Sequence, residues 1–219
     1  MNVERAIVRE KAADTGLINK LNTENFFVIQ LSNGMNLVAR EKRNRPLNSL
    51  FSSNEPFTLR LGFSDQMGNY RDFLSLRHPR KTFLGGNTLK VMDERKNLIG
   101  SISKKFSLTS RKFVINDTSN NGMFIIKSGK TLGKNYFEIF NSRLNKKQSI
   151  GEIRREWNES WWNGQSGSNW QGLGFQQGVQ PQNQDTYAVQ FPLNASAMEK
   201  SLILCSTFLI DFVFFDQAK

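Results

Sequence analysis

Ser201-Leu-Ile-Leu-Cys-Ser-Thr-Phe-Leu-Ile-Asp-Phe-Val-Phe-Phe215 is the stretch that decides the fold. It is apolar on every side of a helical wheel, and such a helix has to be covered by protein or by lipid. Ser196-Ala-Met-Glu199 just before it has the capping-box spacing, in which the serine hydroxyl and the glutamate carboxylate each satisfy a backbone N–H left over at a helix start. The pattern predicts a helix from Ala197 to Phe215, roughly 28 Å long. That length approaches a bilayer's hydrocarbon thickness. However, Glu199 and Lys200 occupy the first turn and Asp211 lies inside, which leaves about ten uninterrupted residues where a span needs about 20. A carboxylate near the bilayer centre costs about 2.5–3.5 kcal/mol. The expectation is a helix caged by its own domain, with Leu202, Ile203, Phe208, Leu209, Ile210 and Phe212 in the core.

The cage has to come from upstream. From Asn25 onward the chain is a succession of short runs rich in β-branched and aromatic residues, separated by turn residues, as in an antiparallel β protein. Asn25–Leu31 and Asn36–Arg40 flank Ser32-Asn33-Gly34, and Asn-Gly readily supplies the positive φ of a tight hairpin. Further strands are expected at Pro56–Phe63, Tyr70–Leu76, Asn87–Met92, Leu98–Phe106 and Arg111–Asn116, then at Met123–Lys127, Tyr136–Phe140, Ile150–Trp157 and Thr186–Phe191. A turn is expected at Asn120-Asn121-Gly122. A sheet of this size generally curls or closes to remove its edges. Residues 1–24 are mixed in charge and weakly periodic and read as a lead-in segment, with the domain at 25–219. An internal echo relates Ile99-Gly100-x-Ile102-x-Lys104-x-Phe106 to Ile150-Gly151-x-Ile153-x-Arg155-x-Trp157, and the glycine in each marks a bend or a close backbone approach.

The 219 residues suit one well-filled domain. Lysine and arginine number 30 against 19 acidic residues, a net +11 that favours an anionic partner. Cys205 is the only cysteine and His78 the only histidine, so neither a thiolate metal cluster nor a histidine-based triad is expected. His78, beside Pro79 and two arginines, reads as an exposed loop residue. With no phosphate-cradling glycine loop, the expectation is a protein without covalent chemistry. The N-terminus reads neither as a secretory signal nor as a transit peptide, and the interior of a cell is the expected location. Residues 158–184 are rich in Asn, Gln, Gly and Ser and read as a long polar loop; Trp157, Trp161, Trp162 and Trp170 fall at or inside it. Indole rings favour the headgroup level of a membrane.

Several pieces in order resemble the phospholipid scramblase family: Ile150-Gly-Glu-Ile-Arg-Arg-Glu-Trp157, Asp185-Thr-Tyr-Ala-Val-Gln-Phe-Pro-Leu-Asn194 and Phe208-Leu-Ile-Asp-Phe-Val-Phe-Phe-Asp216, with Pro56-Phe-Thr-Leu-Arg60 and Phe137-Glu-Ile139 as further landmarks. The resemblance implies a Tubby-like domain: mainly β, a closed antiparallel barrel of about twelve strands around a hydrophobic C-terminal helix. It also implies ATP-independent, often calcium-responsive movement of phospholipids between leaflets. Arg77-His-Pro-Arg-Lys81 stands where the family commonly has a cysteine-rich acylation cluster, and the proline-rich N-terminal extension is missing, so no proline-rich adaptor is expected. The calcium segment corresponds to Asn183–Ser196 and keeps Asp185, with Asn183, Asn194 and Ser196 where acidic residues would be expected. Calcium gains affinity from carboxylate charge, so a site at Asp185, Asn183 and Asn194 is expected to be weak.

The leading expectation is a membrane-associated lipid-handling protein, at the cytoplasmic face of the plasma membrane or on an organelle. It would meet anionic phospholipid through Lys104, Lys105, Arg111, Lys112, Lys146, Lys147, Arg154 and Arg155, with Trp161 and Trp162 as interfacial aromatics. Each cation near an anionic surface is worth about 1 kcal/mol. The alternative is a soluble Tubby-like module that binds phosphoinositide or, less readily, DNA.

Overall fold

The computed structural model describes residues 3–11, 26–41, 57–64, 70–78, 87–107, 110–128, 135–144, 148–155 and 186–214. Among these the strands are β1 (Arg5–Lys11), β2 (Phe26–Leu31), β3 (Asn36–Glu41), β4 (Phe57–Ser64), β5 (Tyr70–His78) and β6 (Thr88–Asp93), followed by β7 (Leu98–Lys105), β8 (Lys112–Asn116), β9 (Gly122–Ser128), β10 (Tyr136–Asn141), β11 (Gly151–Arg155) and β12 (Thr186–Gln190). One helix follows, α1 (Ala197–Phe214). Each strand pairs antiparallel with its sequence neighbour, and β1 pairs with both β2 and β12, so the twelve described strands close into a barrel around α1.

Every residue of α1 from Leu202 to Val213 is buried, as an all-round apolar helix requires. The cap forms as its spacing predicts: the Ser196 N–H donates to Glu199 Oε2 at 2.7 Å, and the Glu199 N–H donates to Ser196 Oγ at 3.3 Å. The inward positions of the strands, among them Leu61, Leu76, Leu89, Ile102, Ile115, Ile126, Ile139 and Ile153, are fully buried and alternate with outward residues at the strand period. Gly34 takes φ +86° in the β2–β3 turn, as Asn33-Gly34 predicts. In the β8–β9 turn the positive φ falls on Asn120 (63°), two residues before Gly122, which is already in the strand.

β1 lies within the stretch read as a lead-in. It carries only Ala6, Ile7 and Val8 as apolar residues, too few to show an alternation, yet it closes the seam: Ala6 and Val8 point into the core, and Ile7, on the outer face, is buried as well. The Ser32 hydroxyl ties down its entry, accepting the Glu4 N–H at 3.0 Å and the Arg5 N–H at 3.2 Å.

The internal echo has a packing cause. A Cβ on Gly100 would sit 2.7 Å from the Asn116 carbonyl oxygen and 2.8 Å from Leu202 Cδ1; a Cβ on Gly151 would sit 2.6 Å from the Gln190 carbonyl oxygen. In both strands the glycine admits the neighbouring backbone, and on β7 it also admits the helix.

The two ends of the barrel differ. At one end lie the turns 32–35, 94–97 and 117–121 and the segment Phe191–Ser196, through which the chain enters α1. At the other end the helix finishes, and the strands are joined by connections that include the longest ones, 12–25, 42–56 and 156–185. This second end is called the rim below.

Candidate functional site: a basic rim around the helix C-terminus

Adjacent residues on a strand point to opposite faces, so each basic pair at the rim is divided. Lys104, Arg111 and Arg155 share the inner face with Phe113 and Tyr187, whereas Lys105, Lys112 and Arg154 face outward. The six residues form two arcs with different surroundings.

The inner arc meets the end of α1. Lys104 Nζ lies 4.8 Å, and Arg111 Cζ 4.2 Å, from the centre of the Phe214 ring, within cation–π range. The carbonyls of a helix's last turn carry partial negative charge, and α1 has no basic residue of its own there. The barrel wall therefore supplies the cations that this terminus lacks. Partial burial pulls the Arg111 guanidinium down from its ordinary value. Nearby, the Tyr187 hydroxyl donates to Asp211 Oδ1 at 2.7 Å, fully buried, which accounts for an acidic residue inside the barrel. Arg155 stands directly opposite Tyr187 on the neighbouring strand.

His78 also belongs to this inner face, and here the structure corrects the sequence reading. It is 1 % exposed, not a surface loop residue. It ends β5 on the same side as Leu74 and Leu76, stacks on Phe57 at 5.1 Å with the rings 2° from parallel, and meets Phe212 of the helix at 5.0 Å. Pro79 and Arg80, which suggest a surface loop, follow only after the strand ends.

On the outer arc, Lys105 is directly opposite Lys112, and Lys112 directly opposite Lys127. Neighbouring strands are about 4.8 Å apart, so three ammonium groups stand in one row across β7, β8 and β9. Like charges in directly opposed positions destabilise a sheet, which makes the row expensive unless something anionic meets it. Lys127 Nζ lies 5.1 Å from the Phe140 ring centre, and Glu138 faces Lys127 at the end of the row. Arg154 is engaged on the wall. Its Nε donates to Glu152 Oε1 at 2.8 Å, and its guanidinium lies 5.1 Å from the Tyr136 ring centre. The Tyr136 hydroxyl donates to the same Glu152 at 2.8 Å; burial first, and then this bond, pushes its pKa up to about 12.

Lys127 was not singled out in the sequence because only strand register places it beside Lys105 and Lys112. Phe106, read as the last residue of a strand, instead stands beyond β7 and is 90 % exposed. Lys146, Lys147, Trp161, Trp162, Asn183 and Asp185 lie outside the described residues. Asn194 is exposed in the turn between β12 and α1, whereas Thr186, which follows Asp185, is at the rim end of β12. Among the described residues no cluster of three or more His, Cys, Asp or Glu side chains is placed to hold a metal. Leu202, Ile203, Phe208, Leu209, Ile210 and Phe212 all lie in the core, and among the described residues no helix is long and apolar enough to cross a membrane.

No curated protein and no solved structure matches the chain. A family model described as Scramblase matches residues 164–217, a segment that contains β12 and α1. That match, on the strand and helix that complete the barrel and fill it, supports assignment of the chain to the phospholipid scramblase family.

Proposed function

We propose that the chain is a lipid-handling protein that docks peripherally on anionic phospholipid bilayers through the rim and promotes ATP-independent movement of phospholipids between leaflets. The observation that carries the docking is the row Lys105, Lys112 and Lys127, backed by Lys104 and Arg111 around the end of α1. At about 1 kcal/mol for each cation near an anionic surface, the outer row supplies about 3 kcal/mol, and Lys104 and Arg111 bring the rim to about 5 kcal/mol, a weak and reversible attachment. The family match supports the lipid chemistry.

α1 fills the lumen, so the barrel interior offers headgroups no path. This favours movement of lipid along the outside of a docked domain, through local disturbance of the bilayer, over passage through it. Calcium modulation is retained as a proposal with its weak candidates Asp185, Asn183 and Asn194.

The test is flotation with phosphatidylcholine vesicles of rising phosphatidylserine content across a salt series, with a duplex DNA shift assay in parallel. The reading expects retention that rises with phosphatidylserine and falls with salt, since exposed charges are screened within about 8 Å at physiological ionic strength. Retention by DNA without retention by the vesicles would replace the lipid reading with a nucleic-acid one. Dye-lipid flip rates in reconstituted vesicles, with and without calcium and in Asp185→Ala, test movement separately. Background rates throughout would reject scrambling.

A further inference from the structure

We propose that Phe106 is the residue that enters the bilayer, so that the barrel docks with its rim, and hence the C-terminal end of α1, facing the membrane. This rests on the lipid reading above and adds a point of insertion and an orientation.

Phe106 is the most exposed large hydrophobic residue among those described, at 90 %. It sits in the β7–β8 connection, between two strands that present Lys105 and Lys112 in direct opposition. The sequence there, Lys104-Lys-Phe-Ser-Leu-Thr-Ser-Arg-Lys112, has two apolar residues, four cations and no acidic residue. An exposed aromatic ring flanked by the outward lysines Lys105 and Lys112 is a composition that lies in the headgroup boundary: the ring goes below the phosphates and the lysines remain among them. The lysine row on the adjoining wall, with Glu138 opposite only its Lys127 end, adds charge of the same sign on the same side.

The opposite end offers competing apolar tips, Leu144 at 70 % and Leu193 at 76 % exposure. Their setting differs. Arg143, next to Leu144, is 3.5 Å from Asp117, and Asp93, Glu94 and Glu199 stand at that same end. That end mixes these carboxylates with Arg71, Arg95, Lys96, Arg143 and Lys200, whereas Lys104 to Lys112 carries cations and no acidic residue, so charge complementarity favours the rim.

The experiment exploits Cys205, the only cysteine, which is buried within α1. A thiol-reactive environment-sensitive dye is attached to Phe106→Cys, and separately to Leu193→Cys and Leu144→Cys, with spin-labelled lipid as quencher in vesicles containing phosphatidylserine. The expected result is a blue shift and quenching at position 106 and neither at 193 or 144. In unlabelled protein, Phe106→Ser is expected to weaken vesicle partitioning about tenfold or more while leaving its salt dependence unchanged, because the lost contribution is apolar burial. Quenching at 193 or 144 but not at 106, or full partitioning of Phe106→Ser, overturns the insertion site while leaving binding intact. Failure of the native protein to bind the vesicles overturns both this inference and the reading on which it rests.

Discussion

Replacing Gly100 by alanine tests the contact between barrel wall and helix at its tightest point. The added Cβ would lie 2.7 Å from the Asn116 carbonyl oxygen, 2.8 Å from Leu202 Cδ1 and 3.0 Å from Leu202 Cδ2. The carbonyl belongs to the strand paired with β7, and the leucine to a helix buried on all sides, so neither can retreat without moving its own neighbours. Overpacking of this kind costs about 1–3 kcal/mol. A glycine-to-alanine change in open space would instead stabilise by about 0.4–1 kcal/mol through the unfolded chain, so the sign itself is diagnostic. Urea and thermal unfolding provide the assay, with Tm expected to fall by about 2–4 °C for each kcal/mol. Leu202→Ala, damaging on its own by about 2–5 kcal/mol, vacates part of the contested space. In that background Gly100→Ala should cost less by about 0.5 kcal/mol or more, and the residual clash with the Asn116 carbonyl should keep relief incomplete. A stabilising Gly100→Ala, or strict additivity with Leu202→Ala, would refute the packing of α1 against β7.

Three further outcomes are expected. Tyr187→Phe removes the donor at 2.7 Å from the buried Asp211 carboxyl and should lower the unfolding free energy by about 1–3 kcal/mol, read from the urea midpoint; an unchanged midpoint would mean that the bond contributes nothing. Asp93 and Asp117 are held below the usual carboxylate range chiefly by hydrogen bonds from Asn97 and Asn121, so the stability they add is complete above their unfolded pKa and is lost as pH falls through the folded one. The double variant Asp93→Asn, Asp117→Asn should therefore flatten the acid limb of a stability–pH curve between about pH 5 and 2; a native-like slope there would sink this assignment. Burial pushes the Cys205 thiol up, so a water-soluble thiol reagent should leave the native protein unmodified at pH 8 and label one site in urea; rapid native labelling would contradict burial.

The caged helix was legible because Leu202–Val213 leaves no polar stripe and Ser196 with Glu199 fixes its start. The strands from β2 to β12 were legible because turn residues bracket their apolar runs. β1 was hidden because closure of the seam, rather than its own pattern, makes Arg5–Lys11 a strand. His78 could have been placed by parity: it follows Leu74 and Leu76 at the strand period, and that signal was masked by the proline and arginines after it. The basic pairs were found, but their division was not. Lys104 lies on Phe214 whereas Lys105 joins Lys112, and Lys127 completes that row only through the register across two hairpins.

Amide hydrogen exchange of the 202–213 segment, compared in free protein and on phosphatidylserine vesicles, bears most directly on the helix inside the barrel. If the barrel holds α1 while the rim meets lipid, those amides exchange only through global unfolding in both states, and protection does not depend on the vesicles. Fast exchange in free protein that slows only when vesicles are added would show instead that lipid, not the strands, covers the helix.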